Sequence, residues 1–388
     1  MPSALATWAC CAALLFVGSA MFRAINRRAA ARKRRLPPAA PRPTTRRVTQ
    51  PAPSSRLIAD PAAHAHRHVE GADAFRMIDL PRSAHAAGPF LSDEYVGTRA
   101  VLGDLPATAA LALPTDPPLH FLFHSAFCGS TQLVRAFDRP GLAMGLSEPM
   151  LFNDMVGFHR RGGSPRDFAR LADLGTRLLG RPFAPGEAVV AKPSNVINPL
   201  APLLMTVRPQ ARALFLFAPL ETFLTSVARK GLWCRLWVRE LLEGFLAIRT
   251  FDLGMTAEDH FRQSDLQVAA VGWLAQMQMM QGLAQRVGPR LASLDADRML
   301  ADPASALQAV AGHYGLALDA GTAQEMAIGP AFTRHSKSGA DYDPTRRAAD
   351  YAAVRAAHAD EIGKVAEWAG KVAETVGLSL AAPNLLQP

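Results

Sequence analysis

Residues 119–137, LHFLFHSAFCGSTQLVRAF, constrain the fold of this chain more than any other stretch. Leu119, Phe121, Leu122 and Phe123 form a short apolar run of the kind that builds a strand buried on both faces. Gly129, Ser130 and Thr131 interrupt it, and Leu133, Val134 and Phe137 then recur at helical spacing. A strand that enters a helix through a glycine turn gathers free backbone N–H groups and a helix N-terminus at one point. That arrangement suits a phosphate or sulfate group. Residues 124–131 follow the phosphate-binding pattern G-x-x-x-x-G-K-[ST] with two changes: His124 stands for the first glycine and Ser130 for the lysine. An ordinary strand-to-helix turn is the competing reading of these eight residues.

The rest of the chain alternates in the same way. Residues 188–192 (AVVAK) and 213–217 (ALFLF) read as further buried strands, and residues 291–296 as a fourth. Helical patterns lie between them, at 168–179, 220–227, 232–249 and 263–287. Strands alternating with helices imply βαβ units and a mainly parallel sheet. Residues 77–118 carry scattered turn signals and are expected to wrap the domain. Asp302-Pro303 opens a late helix closed by Gly315, and residues 343–378 read as an Ala-rich helical pair. Met277, Met279 and Met280 are expected to fill core rather than to bind a cofactor.

The net charge of +9 at first points to nucleic acid, but its distribution excludes that partner. Eleven basic residues lie between Arg23 and Arg56, and no acidic residue precedes Asp60. Without those eleven, 31 of the 42 basic residues remain against 33 acidic ones. The basicity belongs to a tail. Residues 3–22 are uncharged and mostly apolar, long enough to span a bilayer once. Charge follows the stretch instead of preceding it, so it reads as an anchor with the body on the cytoplasmic side. A misassigned start, with Met21 as the true one, is the competing reading. Residues 23–76 are expected to form a basic, Pro/Ala/Arg-rich disordered linker suited to anionic headgroups. The folded domain is then 77–388. His64, His66 and His68 alternate in a polar stretch without zinc spacing and read as a solvated run, so no metal site is expected. Cys10, Cys11, Cys128 and Cys234 form no disulfide framework.

Two residues beyond the first loop are candidates for chemistry. Glu148 is a lone carboxylate between Leu146-Ser147 and Pro149-Met150-Leu151-Phe152. Apolar burial there would make it a proton acceptor; a helix-start carboxylate is the alternative. Lys192 ends the second apolar strand, as His124 ends the first, and ligands of open parallel sheets gather at those ends.

The order of these pieces resembles the sulfotransferase family, in particular bacterial sulfotransferase-like proteins of the P-loop superfamily. The resemblance runs over residues 119–345: FHSAFCGSTQLVRAF, SEPMLF, VVAKPSN, LFLFAPLETFLTSVARKG, and LDADRMLADPASALQAVAGHYGL followed by RHSKSG. It implies a three-layer α/β sandwich of P-loop type, with a central mainly parallel sheet and helices on both faces. It implies transfer of a sulfuryl group from 3′-phosphoadenosine 5′-phosphosulfate to a hydroxyl or amine, without a metal. Glu148 would then be the general base, with Lys192 and His124 beside it in the catalytic set. Ser125, Gly129, Ser130 and Thr131 would hold the 5′-phosphosulfate. Thr225, Ser226 and Arg229 would contact the 3′-phosphate, and Arg334, Ser336 and Lys337 would close over the nucleotide. Two positions depart from the family pattern. Phe127 stands where a basic residue is usual, and Phe217-Ala218-Pro219 replaces Arg-Asp/Asn-Pro; His124, Arg212, Arg229 and Lys230 are the cations available to compensate. The acceptor is open: Arg160, Arg161, Arg166 and Arg170 suit an anionic one or a solvated helix face. A phosphoryl-transfer or nucleotide-binding protein, with Asp295 or Asp297 as metal ligand, and a membrane-tethered non-catalytic member of the fold are the alternatives.

Overall fold

The computed structural model describes residues 53–85, 88–334 and 344–387. Five short strands form one parallel sheet: β4 (Leu119–His124), β5 (Ala143–Ser147), β6 (Ala188–Lys192), β7 (Ala213–Phe217) and β8 (Leu291–Asp295). Their order is β5-β6-β4-β7-β8. Every residue of β5, β6 and β7 is buried, which is why these strands read as unbroken apolar runs. Helices flank the sheet, as expected for the three-layer sandwich. The chain moves outward from β4 to β5, returns through β6 and continues on the other side of β4. The strand order therefore reverses at β4, and in open α/β sheets a crevice for ligands opens at the carboxyl ends of strands at such a point.

β5 carries no strand signal in the sequence because Gly145 lies in its middle. A Cβ there would collide with the Val134 carbonyl of the Ser130–Phe137 helix, so the glycine lets that helix pack directly on the strand. The long Asp265–Val287 helix, opened by a Ser264–Gln267 capping box, buries Met277, Met279 and Met280 as core. Asp302 caps the Pro303–Tyr314 helix and Gly315 ends it with φ +77°.

The expected linker is too long at its C-terminal end. Residues 54–59 form a helix, and β1 (Ala63–Val69), β2 (Ala74–Asp79) and β3 (Val101–Pro106) form a separate antiparallel sheet in the order β1-β2-β3. His64 and His66 are buried in β1 rather than solvated; His66 meets Asp93 at 2.7 Å, and His68 packs against Phe75 and Phe158. No metal-holding cluster of His, Cys, Asp or Glu occurs among the described residues. Arg181 ties this layer to the main body. Its guanidinium donates to the carbonyls of Leu57 (2.8 Å), Ile58 (2.9 Å), Asp60 (3.1 Å) and Ala63, and burial pulls its pKa down to about 10. Arg181→Met leaves those carbonyls without their donor and is expected to lower stability by about 2–3 kcal/mol in denaturant unfolding. An unchanged midpoint would mean water replaces the guanidinium at no cost.

No helix among the described residues is long and apolar enough to cross a membrane. The apolar stretch 3–22, the first part of the linker, and Ser336 and Lys337 lie outside the described residues.

Candidate active site

The loop after β4 is held in an unusual backbone shape. Ala126 (φ +75°), Phe127 (φ +54°) and Gly129 (φ +82°) are all left-handed. For Ala and Phe this costs about 1–2 kcal/mol each. Such strain persists where surrounding structure enforces it, and it concentrates at functional sites. Ser130 and Thr131 follow at the start of the helix, ahead of its first internal bond. Two anchors enforce the shape. The Ser125 hydroxyl accepts from the Ala218 N–H at 3.0 Å, joining the loop to the end of β7. His124 Nδ1 accepts from the Ala126 N–H at 3.1 Å, so Nε2 carries the proton and donates to the Pro193 carbonyl at 3.1 Å. Ser125 and His124 thus spend their polar atoms on positioning the loop. Beneath it, Asn198 donates to the His124 carbonyl (3.1 Å) and to Gln276 (2.9 Å), a buried polar link without sequence signal. Cys128 is fully buried, and burial pushes its thiol pKa up, which suits packing and not a nucleophile.

Across the ends of β5 and β6, Lys192 and Glu148 form an ion pair at 2.5 Å. The Lys192 side chain is completely buried, whereas that of Glu148 keeps 20% exposure. Glu148 has φ +52°, and its N–H donates to the Lys192 carbonyl at 2.6 Å, so one lysine holds both its backbone and its carboxylate. Pro149, not Glu148, caps the following helix. The apolar isolation expected for Glu148 is therefore replaced by a charge pair open to solvent on the carboxylate side. Residues 88–96, expected only to wrap the domain, cover this pair. The Leu91 N–H donates to the Ser147 carbonyl (2.7 Å) and the Ser147 hydroxyl to the Pro89 carbonyl (2.8 Å). These bonds seat the Phe90 ring 5.0 Å from Lys192 Nζ.

The region expected to hold the 3′-phosphate is partly occupied by the protein itself. Thr225 and Ser226 are buried and donate to the carbonyls of Glu221 (2.7 Å) and Thr222 (3.0 Å). Tyr351, from the Pro344–Ala357 helix, meets the Ser226 hydroxyl at 2.8 Å, and the Arg229 guanidinium lies 4.8 Å over its ring. Nothing local in the sequence signals Tyr351. Of the expected compensating cations, Lys230 reaches the loop, with Nζ 5.2 Å from the Phe127 ring. Arg212 lies at the other end of the sheet, against His120 and His313. Phe217 stacks on Phe215, and Arg334 is exposed after the Pro330–Thr333 helix. Asp295 caps a helix and Asp297 accepts from Thr222 at 2.8 Å, so both acidic candidates for a metal are engaged locally. Arg161 and Arg170 pair with Glu70 and Asp73. A groove of about 700 Å³ lies at the amino ends of the strands, beside Leu291 and His313, away from this site.

No family model matches the chain, and no curated protein matches it. Three solved structures similar to it are sulfotransferases. A sulfotransferase domain from the curacin biosynthetic pathway is 13% identical, with 68% of this chain and 99% of that chain covered and a TM-score of 0.39. Sulfotransferase STF1 from Mycobacterium tuberculosis H37Rv is 14% identical, with 57% and 73% covered and a TM-score of 0.38. Sulfotransferase STF9 from Mycobacterium avium is 13% identical, with 64% and 79% covered and a TM-score of 0.39. These belong to the family that the sequence motifs resemble.

Proposed function

We propose that this protein transfers a sulfuryl group from 3′-phosphoadenosine 5′-phosphosulfate to a hydroxyl or amine acceptor. The observation that carries the reading is the left-handed loop at the end of β4 standing beside the Lys192–Glu148 pair on the neighbouring strand ends. The loop suits the 5′-phosphosulfate: the helix it opens starts with Ser130 and Thr131, whose hydroxyls stand at a helix N-terminus. A side chain at Gly129 would be strained at φ +82° and would press on Met299 and Gln132. The acceptor oxygen attacks sulfur, the bond from sulfur to the 5′-phosphate oxygen breaks, and its electron pair leaves with 3′,5′-adenosine bisphosphate. Glu148 takes the acceptor proton. Lys192, fixed and buried, balances charge that develops on the leaving oxygen.

The test is transfer of labelled sulfur from the donor to a panel of hydroxyl acceptors, run beside labelled ATP–Mg. Sulfur transfer is expected. Phosphoryl transfer from ATP–Mg with none from the sulfur donor overturns the reading.

Binding at the nucleotide end requires Tyr351 to leave Ser226 and Arg229. Tyr351→Ala is accordingly expected to tighten 3′,5′-adenosine bisphosphate binding, by about tenfold if the two contacts together are worth ~1.4 kcal/mol. Weaker calorimetric binding in the variant would instead make Tyr351 part of the phosphate site.

A further inference from the structure

Residues 88–92 belong to no helix or strand, yet Gly88, Pro89 and Leu91 are buried. Buried irregular backbone needs partners, and here they come from the elements that carry the site. The Gly88 carbonyl accepts from the Arg135 guanidinium, on the helix that the β4 loop opens. Pro89 and Leu91 bond to Ser147 at the end of β5. Gly88 also leaves room for the Tyr95 ring, which a Cβ there would meet at 2.7 Å, and Tyr95 packs edge-on against Phe90 with centroids 6.1 Å apart. Asp93 makes the last tie, to β1. Its Oδ1 meets His66 Nε2 and its Oδ2 accepts from Arg67 Nη1, each at 2.7 Å. Arg67 has a second partner. Its Nε and Nη2 donate to Asp154 at 2.9 and 2.8 Å, and the His68 N–H donates to the same carboxylate at 2.8 Å. Asp154 lies in the Met150–Arg160 helix, which starts directly after Glu148-Pro149.

We propose that Arg67 is a positioning residue of the active site: by holding Asp93 and Asp154 together, it latches residues 88–96 onto the helix that follows Glu148 and keeps the Phe90 ring against Lys192. The inference rests on the sulfuryl-transfer reading for the role of Lys192, and on geometry alone for the latch. An isolated surface ion pair would do little. Here a guanidinium fork grips the Asp154 carboxylate, whose side chain is only 12% exposed, and the remaining arm of the same guanidinium holds Asp93. The Phe90 ring, 5.0 Å from Lys192 Nζ, presents an apolar face that attracts the ammonium and excludes water from it. A lysine covered in this way acts strongly on charge that develops beside it, because little water screens the field. Residues 88–96 thus complete the site, and a strand outside the parallel sheet sets where they sit.

The test is pulse acetylation of the full chain with acetic anhydride, read at Lys192 by mass spectrometry. Labelling of Cys234 with N-ethylmaleimide measures general opening, since that thiol is buried in the Leu232–Ile248 helix. Arg67→Gln and Asp93→Ala each release the latch, the second at a half-exposed position, and Phe90→Ala removes the ring itself. Arg76→Gln is the control, because it breaks an exposed ion pair with Asp104 within the same antiparallel layer. Lys192 is expected to acetylate about tenfold to a hundredfold faster in Arg67→Gln and Asp93→Ala, as fits the loss of one hydrogen bond to a charged group. The rate stays at the wild-type value in Arg76→Gln, and Cys234 stays protected throughout. Arg67→Gln adds nothing to Phe90→Ala, because both act through the same ring. A wild-type rate at Lys192 in Arg67→Gln, Asp93→Ala or Phe90→Ala overturns the proposal. So does Cys234 opening in step with Lys192, acceleration in Arg76→Gln, or a double variant faster than Phe90→Ala. If Arg67→Gln does not fold, Asp93→Ala decides. If the wild type transfers no sulfur while Lys192 labelling still depends on Arg67, the donor reading falls and the latch stands.

Discussion

Glu148→Ala is expected to destabilise the protein by about 3–5 kcal/mol, because it removes the carboxylate paired with the buried Lys192 ammonium. Lys192→Met breaks the same ion pair at much lower cost, about 1 kcal/mol. The methionine fills the buried volume with apolar atoms, and the Glu148 carboxylate left behind still reaches solvent through its 20% exposure. Unfolding in denaturant measures both. Equal losses would mean that Lys192 is not held by Glu148. The asymmetry also governs how the chemistry is read: Glu148→Gln keeps an acceptor for Lys192 and removes only the base, so turnover falls by about a hundredfold to ten-thousandfold in a protein that remains folded. Turnover unchanged in Glu148→Gln would remove Glu148 from the mechanism.

Mild acid is expected to weaken the fold by a comparable amount. His64 is buried in β1 facing His66, His85 and Arg181, and burial holds its pKa well below the ordinary histidine value. His120, near Arg212 and His313, is brought down to about 4, again chiefly by burial. A histidine lowered in this way is neutral when folded and takes up a proton on unfolding once the pH drops below about 6.5. Its stabilisation is therefore full above that value and is lost as the pH falls toward the folded pKa. Between pH 7 and pH 5 His120 costs about 2 kcal/mol, and His64 adds to the loss in the same direction. His120→Gln should flatten the decline in melting temperature between pH 7 and pH 5. A melting temperature equally insensitive to pH in both proteins would contradict the burial of these rings.

The pieces legible in the sequence are those written locally. The β4 run, the break at Gly129 and the lysine closing β6 follow from strand and helix periodicity, and they place Lys192 and the loop together once a parallel sheet is inferred. Glu148 stood out as a lone carboxylate, but its partner did not, since the pairing of Ser147 with Lys192 in neighbouring strands is a matter of register. β5 was hidden because packing required Gly145, which weakens a strand signal. β1 was hidden because AHAHRHV alternates small and titratable residues that look solvated, although its first four positions are buried. Phe90 and Tyr351 act on residues 102 and 125 positions away, Lys192 and Ser226, across loops with no periodicity of their own. Phe127 was read as a defect in an anion loop; its contacts with Trp237 and Phe223 give it a place in an aromatic wall.

The measurement closest to the central claim is calorimetric binding of 3′,5′-adenosine bisphosphate to the full chain, beside ADP and ATP–Mg, in wild type and in Gly129→Val. The loop and the Lys192–Glu148 pair predict selective binding of the bisphosphate, lost when a branched side chain enters at φ +82°. Preference for ATP–Mg, or bisphosphate affinity indifferent to Gly129→Val, would contradict a phosphosulfate donor seated in the β4 loop.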